Sequence, residues 1–441
     1  MAFGQLLRSH RTRRGLSLAQ LAERVHFNRG HLSRIETGKR PPSVGFAEAC
    51  DRALGTGDTF TAIASALEAA ARQRQGWVRP AQLPVAKRIF VGRRDLMDRL
   101  DELRRGHERS LAVPVAVVHG PPGVGKSTLA VHWAHQAVSD GHFADGQLFA
   151  DLQGIGPGTA AAPVDVLKDL LLAVGVPAER IPAGLGQRAA TFRSYLHGRA
   201  MLLVLDNAAD ARQVLPLLPA SPGCAVVVTS RTALPGLMCR VDAVSLPVTE
   251  LCPAESATLI RSAIGEARAD AAPDAVDVLA ERCGHLPLAL ALATEHVVSR
   301  QHPSARPLAA ELESERARLN LAAGDMTLRD AFDASYRTLD EPSARVFRLL
   351  GRLPGGRFDA ADTAATAGVS KDEAMRLLHR LAGAHLIRHR DERHYHLPGL
   401  LRAYAADLSR RLDGEPERAA PCPVDGPRPA PSTRSVSSLV A

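Results

Sequence analysis

The run Gly120-Pro-Pro-Gly-Val-Gly125-Lys126-Ser127-Thr128 constrains this chain more than any other feature, because it satisfies GxxxxGK[ST] in the setting that pattern requires. The apolar run VPVAVV precedes it and the helix-forming run TLAVHWAHQAV follows it. A strand, a glycine-rich turn and a helix in that order turn successive backbone N–H groups toward an anion. Gly123 and Gly125 let the backbone bend toward phosphate oxygens. The helix starting near Lys126 adds the positive end of its dipole. Lys126 supplies a mobile charge for β- and γ-phosphates, and the Ser127 hydroxyl is placed to ligate Mg2+. Gly120 to Thr128 thus form a candidate site for a nucleoside di- or triphosphate with Mg2+. The bland alternative is a glycine-rich turn that matches by chance, and the flanking strand and helix weigh against it.

From residue 89 to about 325, further short apolar runs alternate with helical stretches: QLFADL at 147–152, AMLLVLD at 200–206 and CAVVVTS at 224–230. Continuous apolar strands separated by helices predict a parallel sheet covered on both faces. Ligands bind at the carboxyl edge of such a sheet. The run before Asp206 carries that carboxylate to the edge, where it serves as a second anchor for Mg2+. The next residue is Asn207, which orients a water but cannot accept its proton, and Asp210 is too far along to substitute. Slow hydrolysis follows, suited to a switch rather than a motor. Arg231 ends another strand, where a guanidinium can fork onto a γ-phosphate and report it; a plain surface arginine is the alternative. Lys126, Asp206 and Arg231 are the candidate catalytic residues.

Residues 1–70 have a different pattern of short amphipathic helices broken by Gly15, His26–Asn28, Gly38 and Pro41–Pro42. Ser17 caps a second helix whose apolar side is Leu18, Leu21, Ala22 and Val25, and Asn28 caps a third. Leu32 and Ile35 face inward from that third helix, leaving Arg29, Gly30, His31, Ser33 and Arg34 outward and near its start. A recognition helix meets base edges in the major groove with such a face. Arg29 and Arg34 suit either guanine or phosphate, and Lys39 and Arg40 in the following loop suit phosphate. Ser17, Asn28, Arg29, His31, Ser33, Arg34, Lys39 and Arg40 are the candidate DNA-facing residues. The alternative is a five-helix bundle with a solvated basic face.

Length and charge fit this plan. A chain of 441 residues suits several domains, and its net charge of +8 permits a nucleic-acid partner without showing one. Only five of the 55 basic residues are lysine, an arginine bias that reads as a GC-rich bacterial genome. The six cysteines are scattered without metal spacing, as in a reducing cytoplasm. No apolar stretch is long enough to span a membrane, and the basic start leads into no signal core, so no membrane partner and a cytoplasmic location are expected. Residues 71–88 read as a linker and 413–441, rich in proline and serine, as a disordered tail.

Together these segments resemble the NB-ARC family of STAND-class nucleotide switches in the form found in actinobacterial regulators. The resemblance rests on Phe90-Val91-Gly92-Arg93, the phosphate loop, LVLDNA, VVVTSR and Cys283-Gly284-His285-Leu286-Pro287-Leu288-Ala289. LLRSHRTRRGLSLAQLAERVHFNRGHLSRIETGKRPPS similarly resembles the helix-turn-helix of lambda-repressor-like (XRE) regulators, with Glu36 structural in its IExG turn and Leu18 where relatives often carry a glutamine.

The resemblance implies a multidomain α and α/β chain. Its parts are an all-α helix-turn-helix head (1–70), a linker (71–88), a parallel α/β P-loop domain (89–245), a small helical domain (246–325) and a winged helix (326–412). It also implies that Val91 and Arg93 lie near adenine and ribose and that Pro287 contacts the base. ADP would hold a closed form, and ATP would open it for self-association on double-stranded operator DNA.

One departure stands out. The family's Met-His-Asp motif, whose histidine contacts ADP, is replaced at its last two positions by Pro398 and Gly399, which implies a weakened ADP lock; His396 would need a shift of backbone to substitute. Relatives often continue into repeats that sense the signal, so input from a separate sensor protein, or a truncated form, is expected here. A protein-recruiting signalling or defence scaffold is the competing reading, and a metabolic ATP-dependent enzyme a third.

Overall fold

Five helices form the amino-terminal unit, α1 (Phe3–Arg13), α2 (Leu18–Arg24), α3 (Arg29–Glu36), α4 (Val44–Leu54) and α5 (Thr59–Arg74). They belong to a computed structural model that describes residues 3–74, 79–106, 112–155 and 160–414. Ser17 and Gln20 form a reciprocal capping box on α2, and the Asn28 side chain accepts from the Gly30 N–H to start α3. Leu7, Leu21, Leu32, Ile35, Phe46 and Phe60 fill the core between the helices. At its edge the Arg11 guanidinium donates to both carboxylate oxygens of Glu36, at 2.7 and 3.0 Å, and ties α1 to the end of α3. Gly4 makes the crossing possible, since a Cβ there would stand 2.4 Å from the Ile35 carbonyl oxygen.

The next unit is an α/β layer. Its elements are α6 (Arg94–Gly106), β1 (Val115–His119), α7 (Lys126–Ser139), β2 (Gly146–Asp151), α8 (Pro163–Ala173), α9 (Leu185–Leu196), β3 (Met201–Ala208), α10 (Ala211–Val214), β4 (Ala225–Ser230), α11 (Pro235–Val241) and β5 (Val244–Pro247). The five strands run parallel in the order β2-β3-β4-β1-β5. Alternate strand residues pack on opposite faces, as the period of two demands. Ala116, Val118, Leu202 and Val204 meet Leu129, Ala130 and Trp133 of α7, while Val117, Leu203 and Leu205 meet Leu167, Leu170 and Phe192 of α8 and α9.

Part of the segment expected to be a linker is built into this sheet. Ala81 bridges Gln147 in parallel, with Gln147 N–H donating to Pro80 O at 2.8 Å and Gln82 N–H to Gln147 O at 3.2 Å. Proline and glutamine content suggested a loose tether, but an exposed edge strand has free N–H and C=O groups that capture extended chain. Gly146 admits the strap, because a Cβ there would lie 2.5 Å from Pro80 O.

A helical lobe follows, with α12 (Pro253–Ile264), α13 (Glu266–Asp270), α14 (Pro273–Arg282), α15 (Pro287–Ser299), α16 (Arg306–Glu311) and α17 (Glu315–Leu319). A small hairpin of β6 (Ala322–Ala323) and β7 (Met326–Thr327) leads into α18 (Leu328–Tyr336) and α19 (Glu341–Leu350). Then come β8 (Arg357–Phe358), α20 (Ala360–Ala367), α21 (Lys371–Gly383), β9 (Arg388–His389), β10 (Tyr395–His396) and α22 (Gly399–Leu412). The last three strands form an antiparallel sheet in the order β8-β10-β9, the wing of a winged helix. The apolar core runs without a break from α7 through α15 to Phe347 and Tyr404.

The fold is therefore multidomain, with a helical head, a parallel P-loop-type α/β layer and further helical units. Among the described residues no helix is long and apolar enough to cross a membrane, and Cys50, Cys224, Cys239, Cys252 and Cys283 are free. Of the segment expected to be a disordered tail, Asp413 and Gly414 are ordered: Asp413 pairs with Arg348 at 3.0 Å, and Gly414 O accepts from Arg352. The remainder lies outside the described residues.

Candidate functional site

A cavity of about 740 Å³ opens over the loop between β1 and α7. Three parts of the chain line it. Lys87, Arg88, Ile89, Phe90, Val91 and Arg93 come from the continuation of the strap, and Pro122 to Thr128, Asp151, Asp206, Thr229 and Arg231 from the α/β layer. Pro287, Leu288, Ala291 and Thr294 come from α15, with Met326 beside them.

Gly123 and Gly125 adopt φ of +75° and +94°, a region in which a side chain would strain the backbone. Gly123 also accepts, through its carbonyl, the N–H of Leu288 at 3.1 Å, so the helical lobe is bonded directly to the phosphate loop. Gly120 does not line the cavity. A Cβ at this position would stand 2.3 Å from Val248 O, so only glycine lets the loop start this close to the segment after β5.

Lys126 Nζ donates to the carbonyls of Gly120 and Pro121, at 2.9 Å each. Burial pushes its amine down to about 7; Arg231 adds to the effect and Asp206 opposes it. Ser127 and Thr128 follow it in the cavity wall at the start of α7.

Asp206 and Asp151 are register partners on β3 and β2, and both reach the cavity. One Asp206 oxygen accepts from the Thr229 hydroxyl at 2.5 Å. Asn207, at φ +56°, turns its amide to the Ile155 carbonyl at 3.0 Å, so it holds the loop after β2 where a water-orienting role was expected. Asp210 accepts from Gln213 N–H and caps α10. Arg231 lines the cavity, yet its guanidinium donates to Ala331 O at 3.0 Å and to the Ser335 hydroxyl, both on α18. Burial lowers its pKa to about 10. A residue expected to read a phosphate thus also grips the winged helix.

Val91 and Arg93 stand at the entrance to α6. Arg93, at φ +67°, receives its fixed place from its N–H donating to Glu255 at 3.3 Å and its guanidinium donating to Val124 O at 3.2 Å. Pro287 begins α15 against Gly125, 3.9 Å from where a Cβ of that glycine would sit. Pro398 and Gly399 open α22 and line a separate cavity of about 280 Å³ with Pro121, Pro122, Arg388 and His396. Sequence reasoning missed Asp151, Glu255, Thr294 and Met326, since none falls in a recognisable motif; only the position of Asp151 at the end of an apolar run could have flagged it.

In the head, Arg29, Gly30, Arg34, Lys39 and Arg40 are exposed along α3 and the loop after it. Ser17 and Asn28 are exposed caps, their side chains engaged by Gln20 N–H and Gly30 N–H. Ser33 is half-buried. His31 departs from the outward face expected of it: its ring packs 5.3 Å from Phe27 and 5.7 Å from Phe46. Those aromatic rings offer more apolar contact than the solvent side, and burial with Arg40 and Arg34 nearby lowers the pKa of His31. Glu36 is structural through its pair with Arg11.

Comparison with known proteins agrees with this architecture. Residues 2–62 match the helix-turn-helix domain family. A Walker-type ATPase of Pyrococcus abyssi shares the fold at a TM-score of 0.52 and 12% identity, over 74% of this chain and 98% of that one. The chain therefore joins a helix-turn-helix domain to an α/β unit with the fold of a Walker-type ATPase. Regulatory protein AfsR of Streptomyces griseus is 40% identical to it over 342 residues, 77% of this chain and 34% of that protein. AfsR of Streptomyces coelicolor is 37% identical over 377 residues, 84% of this chain and 37% of that protein. The chain spans little more than a third of the length of these curated relatives.

Proposed function

We propose that this chain is a DNA-binding transcriptional regulator whose helix-turn-helix head is controlled by ATP or ADP in the P-loop cavity. The observation that carries the reading is the joint lining of that cavity by the strap from the head, the α/β layer and α15. A nucleotide held there touches the elements whose relative placement would have to change. The units of the switch are residues 1–70, 89–245, 246–325 and 326–412, joined by 71–88.

Lys126, with the N–H groups of the loop, would hold the phosphates. Val91, Arg93 and Pro287 would hold the base and ribose, and Arg231 would couple the γ-phosphate to α18. The oxygen donors Ser127 and Asp206, both in the wall of this cavity, fit Mg2+. When bound, that ion neutralises phosphate charge. The regulatory name of the AfsR relatives and the exposed Arg29, Arg34, Lys39 and Arg40 support duplex DNA as the partner. ATP would favour self-association on the operator by binding the open form more tightly than the closed one. The reading places the protein in the cytoplasm, at the nucleoid when bound to DNA.

The test is duplex binding at several salt concentrations with ADP or ATP present, for the wild type and Lys126→Ala. A nucleotide-dependent affinity that Lys126→Ala abolishes supports the switch. Binding indifferent to both contradicts it, and absence of duplex binding in every state favours a protein-recruiting head.

A further inference from the structure

We propose that Asp151 is the carboxylate that activates water for ATP hydrolysis in this chain, an inference that rests on the nucleotide reading of the cavity. Asp151 ends β2 in register with Asp206 on β3. Residues in register on neighbouring parallel strands project to the same face. Two positions earlier, the partners Phe149 and Val204 both pack on the α7 side, so Asp151 and Asp206 stand on the side where the phosphate loop feeds into α7. Both line the cavity that contains Lys126 and Arg231.

The other polar groups at this edge are already committed. Asp206 accepts from Thr229 through one oxygen and, in the nucleotide reading, gives its other oxygen to Mg2+, while Asn207 donates its amide to Ile155 O. Glu295, also in the wall, lies seven residues beyond Leu288 on α15, about 10 Å of helix away from the residue bonded to Gly123. Asp151 is different. It is exposed, one of its oxygens accepts from Gln153 N–H at 2.9 Å, and the other has no hydrogen-bond partner among the described residues. A carboxylate steadied through one oxygen and open through the other is suited to take a proton.

In the step, a water oxygen bonds to the γ-phosphorus while Asp151 accepts the proton that this water loses. The bond from that phosphorus to the β,γ-bridging oxygen breaks, and its electron pair leaves with ADP. The proton passes from the exposed carboxyl to solvent, and the products are ADP and inorganic phosphate.

Single-turnover hydrolysis of ATP with Mg2+ by the full chain tests this, with retained nucleotide measured in parallel. Asp151→Asn is expected to slow hydrolysis by about 100-fold or more, as for loss of a general base. Its ATP retention should stay within about threefold of wild type, since only the reaction step is lost. Asp151→Glu, which keeps a carboxylate, recovers hydrolysis. Hydrolysis by Asp151→Asn at the wild-type rate overturns the assignment and leaves the nucleotide reading intact. So does an Asp151→Glu chain that holds ATP but is as inactive as Asp151→Asn, or loss of ATP retention in both variants. A wild-type chain that binds ATP without hydrolysing it also overturns the assignment. Failure of the wild type to bind ATP overturns this inference and the nucleotide reading together.

Discussion

His119 Nδ1 and His385 Nε2 lie 3.0 Å apart, joining the last residue of β1, just before the phosphate loop, to the turn between α21 and β9. The opposite nitrogen of His119 faces the Ser245 hydroxyl at 2.8 Å. Only one of the two facing nitrogens can carry a proton in this geometry. With the Arg231 contacts to α18 and an ion pair between Arg388 and Glu250, this gives the winged helix three polar attachments to the α/β layer and the loop that follows it.

The pair predicts a pH response. Burial, then His119 and Lys126, holds His385 down to about 4, and burial with Lys126 lowers His119 as well. A released His385 returns to its ordinary value near 6.5. Docking is therefore fully present above that value and weakens as pH falls toward 4. Small-angle scattering should show the chain expanding as pH falls from about 6.5 to about 4, the window set by these values. His385→Asn, which suits the +55° φ at this position, should flatten the response. An equal response in both chains would place the pH sensitivity elsewhere.

Nucleotide binding should be accompanied by proton uptake at Lys126. Its amine, at about 7 in the nucleotide-free chain, is mostly neutral at mildly alkaline pH, and a phosphate beside it restores the charge. Calorimetry in buffers of different ionisation enthalpy should register uptake approaching about one proton near pH 8 and much less near pH 6. No uptake at the higher pH would mean that the amine is already charged before binding.

Glu36→Ala should unfold the head at a lower temperature than the rest of the chain. Arg11 and Glu36 are 9% and 5% exposed, and removing the acid leaves the guanidinium buried without its partner. Loss of one member of a buried pair costs about 3–5 kcal/mol. Urea unfolding followed by loss of duplex binding measures it, and a change below about 1 kcal/mol, as at exposed pairs, would show the pair to be solvated.

Pro398→His with Gly399→Asp, the residues of the motif that the start of α22 resembles, should slow ADP release. A Cβ at Gly399 meets nothing within 4 Å, so Asp fits there. A hydrogen bond to a charged group contributes about 1.5–3 kcal/mol, which is a slowing of roughly tenfold or more in Pro398→His, Gly399→Asp. Unchanged release in a stopped-flow measurement would show that the winged helix acts on the nucleotide only through Arg231 and His385.

The phosphate loop, four of the five strands of the parallel sheet and the capped helices of the head were legible in the sequence because each is specified by neighbours within a few residues. Ser17 and Asn28, or Gly123, Gly125 and Lys126, carry their meaning locally. Asp151 was not legible as a site residue, since its value comes from strand register with a residue 55 positions away in the chain. The strap at 80–82 was hidden for a similar reason: its partner is the free edge of β2, not anything in its own composition. His31 looked outward by helical period, but Phe27 and Phe46 supply a packing surface that period alone does not reveal. Arg231 was read from its place after a strand, and its grip on α18 depends on how a unit 100 residues later docks.

The most direct measurement is the identity and amount of nucleotide carried by the purified chain, released by denaturation and separated by chromatography, for wild type and Lys126→Ala. The account predicts adenine nucleotide close to one per chain in the wild type and almost none in the variant. Equal amounts in both, or none in the wild type even after incubation with ATP and Mg2+, would contradict the claim that this cavity is the switch.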